Sequence, residues 1–538
     1  MVEVEPHFYL PDDCWEHVIT FLNDDDKDNL RCLKAVSVVS KQFLSITNRL
    51  RRPLTICKKL SPFLPAIFHR FPNLTSVTFL RLCGDRDTIL SQISCFPLNI
   101  TLLHLRSQVH IPVNGLRAFS QKIKSLTSLK CSCMNSISVT DLSLIADCFP
   151  LLEEVHLNSI TIFRGNMLNG IETLSLALSK LRKINLSRHT YLNDQSLFHL
   201  FNNCKLLEEA ILFGCNGITN AGIASALHVR PTMRSLSLTN YSDNCITLLA
   251  IVRSCPSLSD IKMEYPRFIW EKKVDNSYSL TNFVVSPQLK SLCLAHNTWL
   301  NDESIIMFAS SFPNLQLLDM SYCNQISESI CQVLKTSSKI RHLNLEHCSK
   351  VKLHGLNFEV PKLEVLKLSH TDVDNESIIT FASSFPNLQI LDLSYCNQIS
   401  EGICRLLRKC SKIRHLNLHN CSKVRLHGLN FEVPKLEVLN LSKTIVNNEE
   451  LYLISKSFGG LLQLSLEDCS FVTKWGVNHV VENCTQLREI NLKGCYKVHK
   501  NIVASMVSSR PSLRKIVVPP CFRFNDKEEE FLSHVCLC

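Results

Sequence analysis

From residue 74 onward the apolar positions of this chain follow one spacing, L-x-x-L-x-L, again and again. LQILDLSYC at 388–396, IRHLNLHNC at 413–421, LLQLSLEDC at 461–469 and LREINLKGC at 487–495 show it with a cysteine closing the string. Allowing any apolar residue at the three leucine positions, the frame starts at 74, 100, 126, 152, 181, 207, 233, 258, 289, 315, 340, 363, 388, 413, 436, 461, 487 and 513. Eighteen units at a mean interval of about 26 residues predict a repeat architecture, not a set of independent globules. Within a unit the L-x-L core alternates with period two, which predicts a short strand. Leu391 and Leu393 then point inward, and Ile390, Asp392 and Ser394 outward.

After the cysteine the pattern predicts a turn, an apolar residue and a helix-capping residue: Thr219, Ser327, Ser400 and Thr473. Acids often come next, as a helix N-terminus prefers: Glu328, Glu401, Asp194 after Asn193, and Asp302 after Asn301. Parallel strands pack about 4.8 Å apart and helices about 10 Å apart, so such a stack is expected to bend into a horseshoe lined by strands on its concave face. Two units of 23 residues, 340–362 and 413–435, carry HGLNFEVP where a helix would stand, which predicts loop. Residues 303–369 recur at 376–442 with a constant offset of 73, a block copy that a one-dimensional stack tolerates.

Residues 10–56 have a different texture. Pro11, Asp12 and Asp13 suit a first helical turn, and Trp15, Val18, Ile19 and Leu22 recur at helical spacing. A polar break at 23–28 precedes a second apolar series (Leu30, Leu33, Val36) and a third (Val39, Phe43, Ile46). Three helices this short bury too little surface to be comfortable alone, so an interaction module is the natural reading, completed by a partner or by the first repeat.

Composition narrows the chemistry. Of 538 residues, 45% are apolar and 20% charged, which fits a folded, water-exposed protein. Only 14 glycines argue against phosphate-cradling glycine loops, and no Walker A, HExxH or GxSxG string occurs. The charge of +10 is mild and no basic stripe with interleaved aromatics stands out, so nucleic acid is not an expected partner. The N-terminus lacks a signal-peptide pattern and no apolar run is long enough to span a bilayer, so a reducing cytoplasmic or nuclear setting is expected. There the 26 cysteines need a purpose other than disulfides. Cys131/Cys133 and Cys536/Cys538 are C-x-C pairs without a matching pair nearby, so zinc is not expected. Fourteen cysteines are periodic instead. Cys215, Cys323, Cys348, Cys396, Cys421, Cys469, Cys495 and Cys521 close the frame, while Cys95, Cys148, Cys204, Cys255, Cys410 and Cys484 precede the next strand. Small thiols at such positions are expected to pack in the core and donate to backbone carbonyls. The pairs Arg341–His342 and Arg414–His415 are copies from the duplicated block, with His on the concave face. The terminal C-x-C fits a lipid acceptor poorly, since Val535 spoils a CaaX frame. Arg49, Arg51, Arg52, Lys58 and Lys59 read as a solvated helix end sooner than as an import signal.

The repeats resemble the cysteine-containing subclass of the leucine-rich-repeat family over residues 70–522. The leading Leu10-Pro11-acid, the apolar helix, the acidic break and the V-S-x-V-S-K-x-F ending at 36–43 look like an F-box, and the whole is similar to plant F-box/leucine-rich-repeat proteins. Asp13 stands where that family often has Glu, a conservative departure. The resemblance implies an α/β fold: a short N-terminal three-helix F-box followed by a leucine-rich-repeat horseshoe. It divides the chain into a tail (1–9), an F-box (10–56), repeats (57–522) and a C-terminal cap (523–538). It also implies a Skp1-type adaptor as partner and, through it, a cullin, with no catalytic residue and no cofactor in this chain. By that likeness Leu10, Pro11, Val18, Ile19, Leu22, Leu33, Val36, Val39 and Phe43 form or support the adaptor-facing surface. An unknown protein substrate would meet the concave face at Lys262, Asp319, Asn344, Lys367, Asp392 and Asn417. Asn440, Ser465 and Asn491 continue that column. The longest unit, 258–288, adds Tyr265, Arg267, Phe268 and Trp270 beside Lys272 and Lys273, a hot-spot composition. Two other readings remain: a small-molecule co-receptor, for which the column lacks a ring of arginines, and a repeat scaffold without client turnover.

Overall fold

A computed structural model describes residues 10–24, 31–80, 86–107, 110–134, 137–159, 168–239, 246–264 and 285–522. The chain divides into two units, Met1–Thr239 and Asn240–Cys538.

The first unit opens with helices Asp12–Asp24, Arg31–Ser37 and Lys41–Leu50. Eight described parallel strands follow: Pro53–Ile56, Ser76–Leu80, Leu102–Arg106, Ser128–Met134, Glu154–Ser159, Lys183–Asn185, Glu209–Leu212 and Ser235–Thr239. Each pairs with the next, as in Leu54 beside Val77 and Leu103 beside Leu129, and the register shifts once, between Cys131 and Met134 against the fifth strand. The first of these strands precedes the earliest unit of the sequence frame. It uses the same burial logic, with Leu54 and Ile56 inward.

The second unit carries eleven described strands, from Asp260–Glu264 to Lys515–Val517, again parallel and each bonded to its neighbour. All eighteen frame positions read from the sequence therefore hold a strand. Helices return the chain between most strands. As expected, none stands between His342–Asn344 and Val365–Lys367, or between His415–Asn417 and Val438–Asn440.

The core lies between strands and helices. Leu391 and Leu393 are buried, as are Leu366 and Leu416 in register beside Leu391. Phenylalanines from the helices and the turns that end them, including Phe308, Phe312, Phe381, Phe385 and Phe458, fill the layer behind. Each such side chain contributes roughly 1.5–3 kcal/mol by leaving water.

Caps follow the expectation at four helices and depart from it at two. Thr219, Thr473, Asn193 and Asn301 each accept a backbone N–H of the first turn. Ser327 and Ser400 do not cap. Glu328 and Glu401 occupy the N-cap positions, in helical conformation and without a side-chain cap bond. The preceding helix binds the N–H of both serines, as it does those of Thr219 and Thr473. Ser327 donates its N–H to Asp302 at 2.8 Å, and Ser400 donates its own to Asn375 at 2.9 Å. Ser394, expected to face outward, is buried and donates its hydroxyl to Asp392 at 2.6 Å, with the Ser369 hydroxyl 2.8 Å away.

Candidate protein-binding surfaces

The N-terminal helices close on a small core of Ile19, Leu33 and Ile46, with Trp15, Val36, Phe43 and Leu50 packed against it. Trp15 meets Phe43 edge to face, with ring centroids 4.9 Å apart. A polar clasp locks the first helix to the third. Arg49 donates to Asp12 at 2.8 Å and to Glu16 at 2.7 Å, and Gln42 donates to Asp12 at 2.8 Å. The Gln42 bond, then that of Arg49, holds the Asp12 carboxyl below its ordinary range.

With the core and the clasp formed, several apolar side chains stay outside. Leu10, Val18 and Val39 are exposed, Phe21 is 73% exposed and Val38 81%. Val18 and Phe21 lie three residues apart on one helix and so share a face. The residues implied by the family likeness therefore separate. Leu10, Pro11, Val18 and Val39 are exposed, Val36 and Phe43 are half-buried, and Ile19 and Leu33 are core that can only support a surface. The Leu22 side chain lies outside the described residues. Phe21 escaped the periodicity reading because it falls out of phase with the core stripe of the first helix, and Val38 because it lies in the turn between the second and third helices.

The outward strand column of the second unit has an internal task. Asp319 accepts from the Ser321 N–H (2.9 Å) and hydroxyl (2.8 Å), and its other oxygen accepts from the Asn344 amide (3.1 Å). Asp392 repeats this with Ser394 and with the Asn417 amide at 3.0 Å. Asn344 and Asn417 in turn accept from the N–H groups of Glu346 and His419, both at 3.1 Å. These Asx turns tie off strand ends and stitch neighbours together. Lys262 is paired with Glu264 at 2.8 Å. Lys367 is exposed, in register between Asn344 and Asp392. Tyr265, Arg267, Phe268, Trp270, Lys272 and Lys273 lie outside the described residues.

In the first unit, Glu154 gathers the Lys130 ammonium (3.1 Å), the His156 ring (2.9 Å) and the Ser128 hydroxyl (2.6 Å). Burial is the largest influence on the nearby His104 and His156 rings and pushes both below the usual histidine range.

Next to the outward column runs a row of rings. His296, Tyr322, His347, His370 and Tyr395 occupy equivalent positions, each with left-handed φ between 56° and 64°. Their rings stack at 4.2, 4.2, 4.0 and 3.9 Å, within 22° of parallel. His419 ends the row edge-on to Tyr395. Each ring covers its neighbour's face, so what reaches solvent is a line of ring edges. Left-handed backbone is uncommon outside glycine, and histidine enters it more readily than a bulky tyrosine. One such residue per repeat is the sequence signal for the row, one place before the cysteine or its equivalent.

The frame-closing thiols form a second periodic row, inside the fold. Cys323, Cys348, Cys396, Cys421, Cys469 and Cys495 donate to the carbonyls of Leu294, Met320, Leu368, Leu393, Leu441 and Leu466, between 2.9 and 3.2 Å. Cys215 donates likewise to Leu186 at 3.1 Å. Burial pushes the Cys348, Cys421 and Cys495 thiols up to about 12. Three of the fourteen periodic cysteines depart from the expected core placement. Cys95 and Cys521 are exposed and Cys148 is half-buried. The described cysteines are free thiols. Among the described residues no three His, Cys, Asp or Glu side chains are grouped to hold a metal ion, and no helix is long and apolar enough to cross a membrane.

His342 and His415 are exposed at the first strand position, as expected. Their arginine neighbours pair across the sheet, Arg414 with Glu437 at 2.7 Å and Arg341 with Glu364.

These strand-helix units define a leucine-rich-repeat fold. No protein-family model matches the chain. Among solved structures it is similar to that of the TLR13–ssRNA13 complex, at 16% identity and a TM-score of 0.43, over 87% of this chain and 71% of that one. A chain of the yeast Rad7 and Elc1 complex is similar at 16% identity and TM-score 0.38, over 86% and 89%. The leucine-rich repeat-containing protein LegL7 from Legionella pneumophila is similar at 16% and 0.37, over 57% and 96%.

Proposed function

We propose that this chain is the non-catalytic substrate-recognition subunit of an SCF-type ubiquitin ligase. Its N-terminal helices would dock on a Skp1-type adaptor, and through it on a cullin, in the cytoplasm or nucleus. Its repeats would hold a protein target near a ubiquitin-loaded partner enzyme. The chemistry then belongs to other subunits, and this chain supplies effective concentration and orientation. The observation that carries the reading is the apolar exposure of Leu10, Val18, Phe21, Val38 and Val39 on a module whose own core is already closed. Large side chains left outside a closed core mark a surface that a partner covers. The F-box likeness of residues 10–43 names the partner.

The double substitution Leu10→Ala with Pro11→Ala, in the full chain, tests this by co-purification with Skp1. The expected result is loss of the adaptor while the circular dichroism of the repeats is unchanged. Undiminished co-purification would overturn the assignment.

A further inference from the structure

Two adjacent turns near the end of the second unit differ from their counterparts. They follow the strands Gln463–Ser465 and Glu489–Asn491 and read SFVTKW at 470–475 and YKVHKN at 496–501. Together they hold Lys474, Lys497 and Lys500, three aromatic residues and no acid. Matching turns after Cys323 and Cys396 read NQISES at 324–329 and NQISEG at 397–402, with an acid and no Phe, Tyr or Trp; those after Cys348 and Cys421 read SKVKLH at 349–354 and SKVRLH at 422–427, as basic as these two but without such a residue.

The aromatic side chains of these turns stand in solvent. Trp475 is 63% exposed, Tyr496 71%, and Phe471 is exposed as well. They are nonetheless held in place. Lys497 reaches back across the repeat boundary to lie over the Phe471 ring, 5.2 Å from its centroid, and Lys474 lies over Trp475 at 4.9 Å. Thr473 caps the helix that carries Trp475, accepting its N–H, and is itself bound by the Asn448 amide at 3.0 Å. Two acids precede the first turn, one of them paired and the other, Asp468, exposed. Glu467 is paired with Lys493 at 2.7 Å, and the Asp468 side chain lies against Gly494, where a Cβ would collide with it.

Exposed aromatic rings pre-ordered by ammonium groups have the composition of a binding hot spot, because little entropy remains to be lost on contact. Their charge is uniformly positive. We propose that these two turns form a docking surface for an acidic protein segment that carries apolar side chains. Carboxylates of that segment would meet Lys474 and Lys497, and its apolar residues would cover Trp475, Tyr496 and Phe471. Only the role of this surface as the target contact rests on the ligase reading. A single-stranded nucleic acid fits less well. Base stacking needs open ring faces, and one face each of Phe471 and Trp475 is already taken by an ammonium.

The test is selection of a random peptide library on the immobilised full chain, with a single-stranded oligo-dT as second probe. Selected peptides should combine Asp or Glu with Leu or Phe and lose affinity as salt rises. They should bind Trp475→Ala/Tyr496→Ala, and separately Lys474→Glu/Lys497→Glu, at least about tenfold more weakly. Melting curves of both variants should match the parent, since every altered side chain is on the surface. An empty selection, neutral or basic winners, equal binding by the variants, or tighter binding of oligo-dT would each overturn the proposal. Skp1 co-purification is read out separately at residues 10 and 11, so failure here is distinguishable from failure of the ligase assignment.

Discussion

In the repeats, an inward leucine has a leucine beside it in both neighbouring strands: Leu391 lies in register between Leu366 and Leu416, and all three are buried. In the N-terminal helices, Ile19, Leu33 and Ile46 make up the buried core, and Phe21 and Val38 point away from it. The repeats satisfy their apolar residues by adding another copy of themselves. The short helices have no further copy to add. An exposed phenylalanine therefore means different things in the two places. On the helices it is what a closed core left over, and in the turns at 470–501 it is an addition to a unit whose core is already complete.

The sharpest way to break this comparison is to truncate one side chain from each region. Leu391→Ala should cost about 2–5 kcal/mol, since neighbours on both sides cannot collapse into the gap. Phe21→Ala should change stability by no more than about 0.5 kcal/mol, yet weaken adaptor binding. Urea titration and Skp1 co-purification of both variants read the two effects, and a large stability loss at Phe21 would erase the distinction.

A second effect, smaller and confined to the first unit, comes from His189. This ring is buried, its Nε2–H donates to the Leu157 carbonyl at 2.6 Å, and the Tyr191 hydroxyl donates to Nδ1. Burial pushes its pKa from 6.5 down to about 4. Between those values the unfolded chain takes up a proton that the folded ring refuses. The stability it protects is thus fully present above about pH 6.5 and is lost as pH falls toward 4, on the order of 3 kcal/mol in all. His189→Gln keeps a donor and an acceptor without titrating. It should flatten this part of the pH dependence, and an unchanged pH profile of the urea midpoint would refute the account.

A smaller loss than at Leu391 or His189 is expected at the strand column. Asp392→Ala removes acceptors from Ser394 and Asn417 and should cost about 1–2 kcal/mol, whereas Lys367→Ala should be nearly neutral. Equal, small effects at both positions would return Asp392 to the role of a free surface contact.

The strands were legible because L-x-L alternation states both the element and its inward face. The strand Pro53–Ile56 was not, for a physical reason. Leu50 precedes Leu54 by four residues, not three, so the frame slips by one even though Leu54 and Ile56 are buried like any other pair. The caps at Ser327 and Ser400 misled because the helices there begin two residues on, at Ser329 and Gly402, whereas those at Thr219 and Thr473 begin at the next residue. The column of Asp and Asn residues reads from the sequence as a polar face. Its hydrogen bonds to the backbone two residues on appear only once the turn is built. The ring row and the aromatic turns were visible as letters, but their stacking and exposure depend on which repeats sit side by side.

The buried thiols give this molecule a built-in clock. A sulfur pushed up to about 12 and bonded to the repeat before it is nearly inert while that boundary is closed. It becomes ordinary once the boundary opens. Burial raises every thiol of this row, so the order in which a small alkylating reagent reaches Cys348, Cys396, Cys421, Cys469 and Cys495 reports the order in which the junctions breathe. The stack can thus be read seam by seam, without adding any probe to it.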